Sequence, residues 1–212
     1  MKFSGNCRIC SRLSDFLDEV SKAHPDYHAK PVPPFGDPFP RLLIVGLAPG
    51  LHGANRTGRP FTGDHAGILL YETLYKYGYS NQPMSEKGDG LTLNGCRITN
   101  AVKCLPPQNK PEPAEIRQCN AYLSAEIAEL DEGASILALG TIAHNAVLSS
   151  LRLKPKDHPF AHGNIHDLGK HTLHDSYHCS RYNTQTKRLT REMFEEIFEE
   201  IGRKACRTST SG

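Results

Sequence analysis

The segment Arg41–Gly67, RLLIVGLAPGLHGANRTGRPFTGDHAG, limits the folds open to this chain more than any other stretch. Leu42, Leu43, Ile44 and Val45 are apolar without alternation, the pattern of a strand covered on both faces. That strand runs directly into a loop in which Gly46, Gly50, Gly53, Gly58, Gly63 and Gly67 recur. In open α/β sheets ligands bind beyond the carboxyl ends of the strands, and glycine there lets the backbone come close to a ligand. The loop carries neither the G-x-G-x-x-G that opens a dinucleotide-binding helix nor the G-K-[ST] of a P-loop. It therefore grips something other than a nucleotide cofactor.

The rest of the chain supplies the layers such a strand requires. Leu13, Phe16, Leu17 and Val20 recur at helical spacing, with Ser11 or Ser14 as the cap. The Pro-rich run 30–40 reads as an extended connector, and 79–94 as loop. Between them Ile68, Leu69, Leu74 and Tyr75 predict a helix stopped by Gly78. A second strand over Cys96–Lys103 precedes a helix opening near Pro111, with Ile116, Cys119, Leu123, Ile127 and Leu130 along one face. Ala134–Leu139 reads as a third strand, Gly140–Leu151 as a helix, and Lys170–Tyr177 as a fourth strand. A last helix begins near Thr190, with Met193, Phe194, Ile197 and Ile201 inward. This alternation predicts α/β architecture: one domain over 1–205, three-layer α/β/α, with a central, mostly parallel four-stranded sheet and a disordered tail at 206–212.

With 212 residues, 38% hydrophobic and 23% charged, the chain can bury one sizeable core. No apolar run approaches the roughly 18 residues of a membrane span, and MKFSGNC has no apolar signal region, so a cytoplasmic monomer without membrane contact is expected. A net charge of +2 does not announce a nucleic-acid binder, although Arg181, Lys187, Arg188 and Arg191 crowd one segment. Seven cysteines in such a chain point to metal or redox chemistry. Cys7 and Cys10 form a C-x-x-C, Cys104 stands at a strand end and Cys119 on the following helix. These four thiolates meet if the N-terminal segment folds over the second strand–helix unit. Their softness suits zinc or an iron–sulfur cluster, and spacing alone leaves both open.

The polar residues suggest chemistry on a base. Asn100 lies in a strand, where an uncharged amide needs a partner. Ser176-Tyr-His178-Cys-Ser180-Arg-Tyr-Asn183 follows the fourth strand, and the glycine loop holds Phe61 and Asp64. An amide to read a base edge, an aromatic to stack on it, a His to stabilise departing negative charge and a carboxylate to orient water form a set suited to cleaving a base from its sugar. The basic segment Ser180–Arg188 offers phosphate contacts for a duplex from which that base is flipped.

GLAPG at 46–50, GANRTGRPFTGD at 53–64, TNAVKCLPPQNKP at 99–111, ALG at 138–140, FAHG at 160–163 and SYHCSRYNTQTKRLT at 176–190 resemble, in order, successive motifs of the uracil-DNA glycosylase superfamily. The resemblance covers nearly the whole chain and is to the iron–sulfur, broad-specificity fifth family. It implies a monofunctional glycosylase that hydrolyses the bond between uracil, or another deaminated base, and deoxyribose in DNA, initiating base excision repair. By it Cys7, Cys10, Cys104 and Cys119 would hold a [4Fe–4S] cluster. Asn100 would read the base, Phe61 would stack on it and His178 would assist its departure, while Gly46, Leu47, Ala48, Ser180, Arg181 and Asn183 would contact the substrate. Two departures stand out. His178-Cys179-Ser180 occupies the place of the family's His-Pro-Ser, and Leu47 stands where other branches carry a polar water-activating residue, which leaves the carboxylate role to Asp64.

Read without that resemblance, the residues also allow a cytoplasmic iron–sulfur or zinc redox protein, or a nucleotide-binding α/β module without hydrolytic activity. The lack of a phosphate-loop motif weighs against the latter. Broad absorption near roughly 400 nm would dismiss zinc, and cleavage of uracil-containing DNA would dismiss a purely redox role.

Overall fold

The apolar runs 42–45 and 136–139 become two of the inner strands, and helices at 3.6-residue periodicity cover the sheet on both sides. The computed structural model describes residues 3–208, with side chains described through residue 203. In chain order the elements are α1 (Ser11–Ala23), β1 (Phe35–Gly36), β2 (Leu42–Gly46), α2 (Ala54–Thr57), α3 (His65–Lys76), β3 (Cys96–Asn100), α4 (Pro113–Ala128), β4 (Ser135–Leu139), α5 (Thr141–Ser150), β5 (Ile165–Asp167), β6 (Thr172–Ser176), α6 (Arg181–Gln185) and α7 (Arg191–Thr208).

The sheet runs β1-β3-β2-β4-β6-β5. Its four inner strands are parallel. They are the four expected from sequence, but the sheet has six: β1 and β5 add antiparallel edges. β1 comes from the Pro-rich connector, where Phe35 and Gly36 pair with Ile98 and Arg97. Edge positions tolerate nearby prolines, and strands of two or three residues are too short to show a period. Residues 79–94 likewise hold one isolated bridge, Ser80 to Leu93.

Successive residues of each inner strand enter opposite cores. Leu42, Ile44, Ile98, Leu137 and Leu139 meet Leu70 and Leu74 of α3 and Phe194, Phe198 and Ile201 of α7. Leu43, Val45, Ile136, Ala138 and Leu173 meet Leu123 and Ile127 of α4 and Val147 and Leu148 of α5. A third cluster joins Leu13, Leu17 and Val20 of α1 to Val102, Leu105 and Tyr122. Here the capping expectation is corrected. The N-cap of α1 is Cys10, without a side-chain cap bond, and the Ser14 hydroxyl donates back to the Cys10 carbonyl at 3.0 Å.

β3 ends at Asn100 rather than Lys103, because the Ala101 and Val102 N–H groups turn onto the carbonyls of Gly46 and Leu47 at 2.9 and 3.0 Å. Lys103 is then sealed in, 1% exposed, with its ammonium on Glu126 Oε1 at 2.6 Å and on the Thr99 hydroxyl. α7 continues to Thr208, past the expected boundary at 205, and 209–212 lie outside the described residues. Among the described residues no helix is long and apolar enough to cross a membrane.

Candidate active site

From β2 the chain crosses to β3 on one side and later returns to β4 on the other, so the strand order reverses at the carboxyl end of β2. A cleft of about 540 Å³ opens there. Leu47, Ala48, Phe61, Asp64, Asn100, His178, Ser180 and Arg181 all line it, so eight of the ten residues expected to act on substrate share one cavity. Gly46 sits directly beneath. A Cβ on it would stand 2.4 Å from Asn100 Oδ1 and 2.7 Å from Phe61 Cζ, so only a bare backbone lets amide and ring close over the strand end. Asn183 does something else: its amide donates to the His178 carbonyl at 2.7 Å and so fixes the loop carrying the imidazole.

Asn100 is opposite Gly46 in the β2–β3 register and 4% exposed. Among the described residues its side-chain amide makes no hydrogen bond, which leaves two donors and an acceptor for whatever enters the cleft. The Phe61 ring lies against the imidazole of His178, centroids 5.9 Å apart and planes at 28°. Its backbone has φ +55°, a conformation disfavoured for a bulky residue. Gly67 permits it, since a Cβ there would lie 1.8 Å from the Phe61 carbonyl oxygen. Burial pulls the His178 pKa down to about 4, so at neutral pH the ring is an uncharged donor and acceptor.

Asp64 is the N-cap residue of α3, but its side chain does not cap the helix. It faces the glycine loop, and its Oδ2 accepts a long bond from the Ala54 N–H at 3.4 Å. Burial raises its pKa above the ordinary carboxylate range, opposed by that N–H and by Arg56 and His52. The carboxylate is thus weakly solvated and weakly bonded, with lone pairs free to hold a water.

Five further residues line the cleft, Gly50, Ala54, His65, Ala66 and Asn109, of which two carry polar side chains. His65 bridges to the Thr184 hydroxyl at 3.1 Å, joining α3 to α6 across the mouth. Asn109, in the left-handed region at φ +56°, belongs to the loop after β3. Each lay inside or beside a motif already noted, and nothing in its own residue type separated it from its neighbours. Cys179 is fully buried in the α3/α7 core. Ser180, the next residue, caps α6, accepting from the Asn183 N–H.

The four cysteines also converge. Cys7, Cys10, Cys104 and Cys119 line one small cavity walled by Leu13, Pro31 and Tyr122. Burial pushes the Cys104 thiol up to about 12 and Cys119 to about 11, the latter opposed by a bond from the Lys103 N–H to its sulfur at 3.3 Å. Cys10 is raised by burial and by the Glu115 charge. Arg12 clamps α1 onto α4 with two bonds to Glu115, 2.8 and 2.7 Å.

An open, mostly parallel sheet with a glycine-floored cleft at its switch point is the class of structure that fold and site define. A family model for the uracil DNA glycosylase superfamily matches residues 33–202. The type-5 uracil-DNA glycosylase of Thermus thermophilus is 49% identical, the match covering 87% of each chain. Those of Mycobacterium bovis and Pyrobaculum aerophilum are 44% and 39% identical, each over 87% of this chain and over 72% and 83% of their own length. The chain belongs to the uracil DNA glycosylase superfamily, in its type-5 branch.

Proposed function

We propose that this protein is a monofunctional uracil-DNA glycosylase that removes uracil, and other deaminated bases, from DNA as the first step of base excision repair. The observation that carries the reading is the assembly of Asn100, Phe61, His178 and Asp64 around one cleft. The target base leaves the duplex and enters this cleft, at a cost of a few kcal/mol in lost stacking and pairing. Phe61 stacks on it and the Asn100 amide pairs with its polar edge. The bond from C1′ to N1 then lengthens, its electron pair moving onto the base. A neutral His178 donates to the base carbonyl on which that charge collects. Asp64, across the bond, favours the cationic sugar and orients the water whose oxygen bonds to C1′ and whose proton passes to the carboxylate. No covalent enzyme intermediate is needed. Arg181 and its neighbours on α6 contact the phosphates.

The four thiols suit a [4Fe–4S] cluster. Around one tetrahedral zinc, sulfurs stand about 3.8 Å apart. Among the described residues the one group of three or more donor atoms that compact is a different one, without cysteine, so these sulfurs are spread more widely than a single ion requires. The cluster, when bound, supplies a cross-link between α1 and the β3–α4 unit. The protein works as a cytoplasmic monomer on DNA. A panel of duplexes, each with one altered base, scored for abasic sites tests the reading. Uracil should be cut fastest, and a panel left wholly uncut would return the chain to the redox alternative.

A further inference from the structure

On the α5 side of the sheet, away from the cleft, lies a polar group that base removal does not use. His144 on α5, His166 on β5 and Asp175 on β6 bring one donor atom each within 4.8 Å of the others. His144 is 1% exposed and Asp175 fully buried. The His144 Nδ1 lies 2.7 Å from Asp175 Oδ1, and the His166 Nε2 3.0 Å from Oδ2. None of the three lines the cleft.

The other nitrogen of His144, Nε2, is 2.9 Å from the His158 carbonyl, an oxygen that can only accept. Nε2 therefore carries a proton, and in the neutral ring Nδ1 presents a lone pair to a carboxylate oxygen at contact distance. Two lone pairs do not face one another in a sealed interior without positive charge between them. Either a proton lies between them, on the ring or on the carboxyl group, or a cation sits there. An imidazole whose far N–H is anchored on a backbone carbonyl, and whose lone pair converges with a second imidazole and a carboxylate, is how proteins orient metal-binding histidines. The elements are right as well: imidazole nitrogen and carboxylate oxygen suit zinc, cobalt or nickel rather than calcium.

We propose that His144 Nδ1, His166 Nε2 and an Asp175 oxygen form a site for one divalent transition metal of the zinc type, separate from the cysteine cavity. Ligand atoms about tetrahedral zinc are about 3.4 Å apart. Each contact has only to open by roughly half an ångström, through the short edge strand β5 for His166 and through a turn of the His144 ring for the other. Three protein donors leave a position for water. The metal would join α5, the sheet edge and β6, the strand that leads into His178.

The test uses cluster-loaded protein treated briefly with EDTA and shown by its visible absorbance to have kept the cluster, then titrated with Zn²⁺ against a chromophoric chelator and with Co²⁺ followed by its difference spectrum. His166→Ala and His166→Gln lie on the edge strand, outside the glycosylase machinery, so uracil excision confirms that both fold. The wild type should take up one equivalent at least about 10- to 100-fold more tightly than either variant. Its Co²⁺ spectrum should be that of a nitrogen- and oxygen-ligated ion, and Zn²⁺ should raise its melting temperature but not theirs. Equal uptake by wild type and variants, or none, overturns the site: Asp175 is then held by a proton shared with His144 and by the N–H of His166 alone.

Discussion

Asp64 owes its position to residues without side chains. A Cβ on Gly53 would stand 1.9 Å from its carboxyl group, so Gly53→Ala must displace the carboxylate. This variant should lose single-turnover rate on uracil-containing duplex by a factor comparable to that of Asp64→Asn, about 10² or more, although it leaves every functional group in place. Rapid-quench kinetics at saturating enzyme check it. The two titrating groups should also separate by pH. Burial raises Asp64, so the acid limb of the rate profile should lie above the ordinary carboxylate range and vanish in Asp64→Asn. His178 acts in the other direction. Its folded pKa of about 4 is below the 6.5 of the unfolded chain, so between those values the unfolded state binds the extra proton. Its share of stability is full above 6.5 and falls with pH down to about 4. Denaturant midpoints measured across that window should show a shallower slope in His178→Asn.

At the scale of elements, α1 is held by the cysteine cavity, by Leu13 and Leu17 in the third core cluster, and by the Arg12–Glu115 clamp. Cys104→Ala should abolish visible absorption and lower the melting temperature. Arg12→Ala should keep the colour at first but lose it faster under chelation, because one wall of the site is then untethered; absorbance decay in EDTA measures this. β2 and β4 were legible as apolar runs, since a strand buried on both faces can be apolar throughout, whereas β3 and β6, with Arg97, Asn100, His174 and Asp175, were legible from their place between helices. β1 and β5 were not. Phe35–Gly36 and Ile165–Asp167 owe their conformation to the neighbours they pair with, and prolines and histidines around them argue locally for loop. The cap of α1 was missed for a related reason: Cys10 holds the N-cap position by backbone geometry, while Ser14 spends its hydroxyl one turn into the helix.

In the whole molecule, the cleft residues come from three separate stretches of the chain, the glycine loop and helix start after β2, the end of β3 with the loop after it, and the turn after β6, gathered where those strands end. Asn100, Phe61, Asp64 and His178 were legible because each sits in a motif at a strand end, where parallel sheets put their chemistry. His65, Asn109 and the His144–His166–Asp175 group were not, because only folding brings them beside their partners. Arg181, exposed at the cleft mouth, faces the solvent through which DNA arrives. Arg181→Ala should weaken binding to any duplex and reduce the slope of log Kd against log salt by about 1, read by fluorescence anisotropy at several ionic strengths. The central claim is that Asp64 and His178 act from opposite sides of one glycosidic bond. Single-turnover excision of uracil by wild type, Asp64→Asn, His178→Ala and the double variant tests it most directly, with duplex affinity measured in parallel. Each single change should cost about 10²-fold or more in the chemical step while affinity stays near that of the wild type. An Asp64→Asn protein that cleaves at the full rate would contradict the account, and the water would then belong to the backbone of Gly46–Ala48.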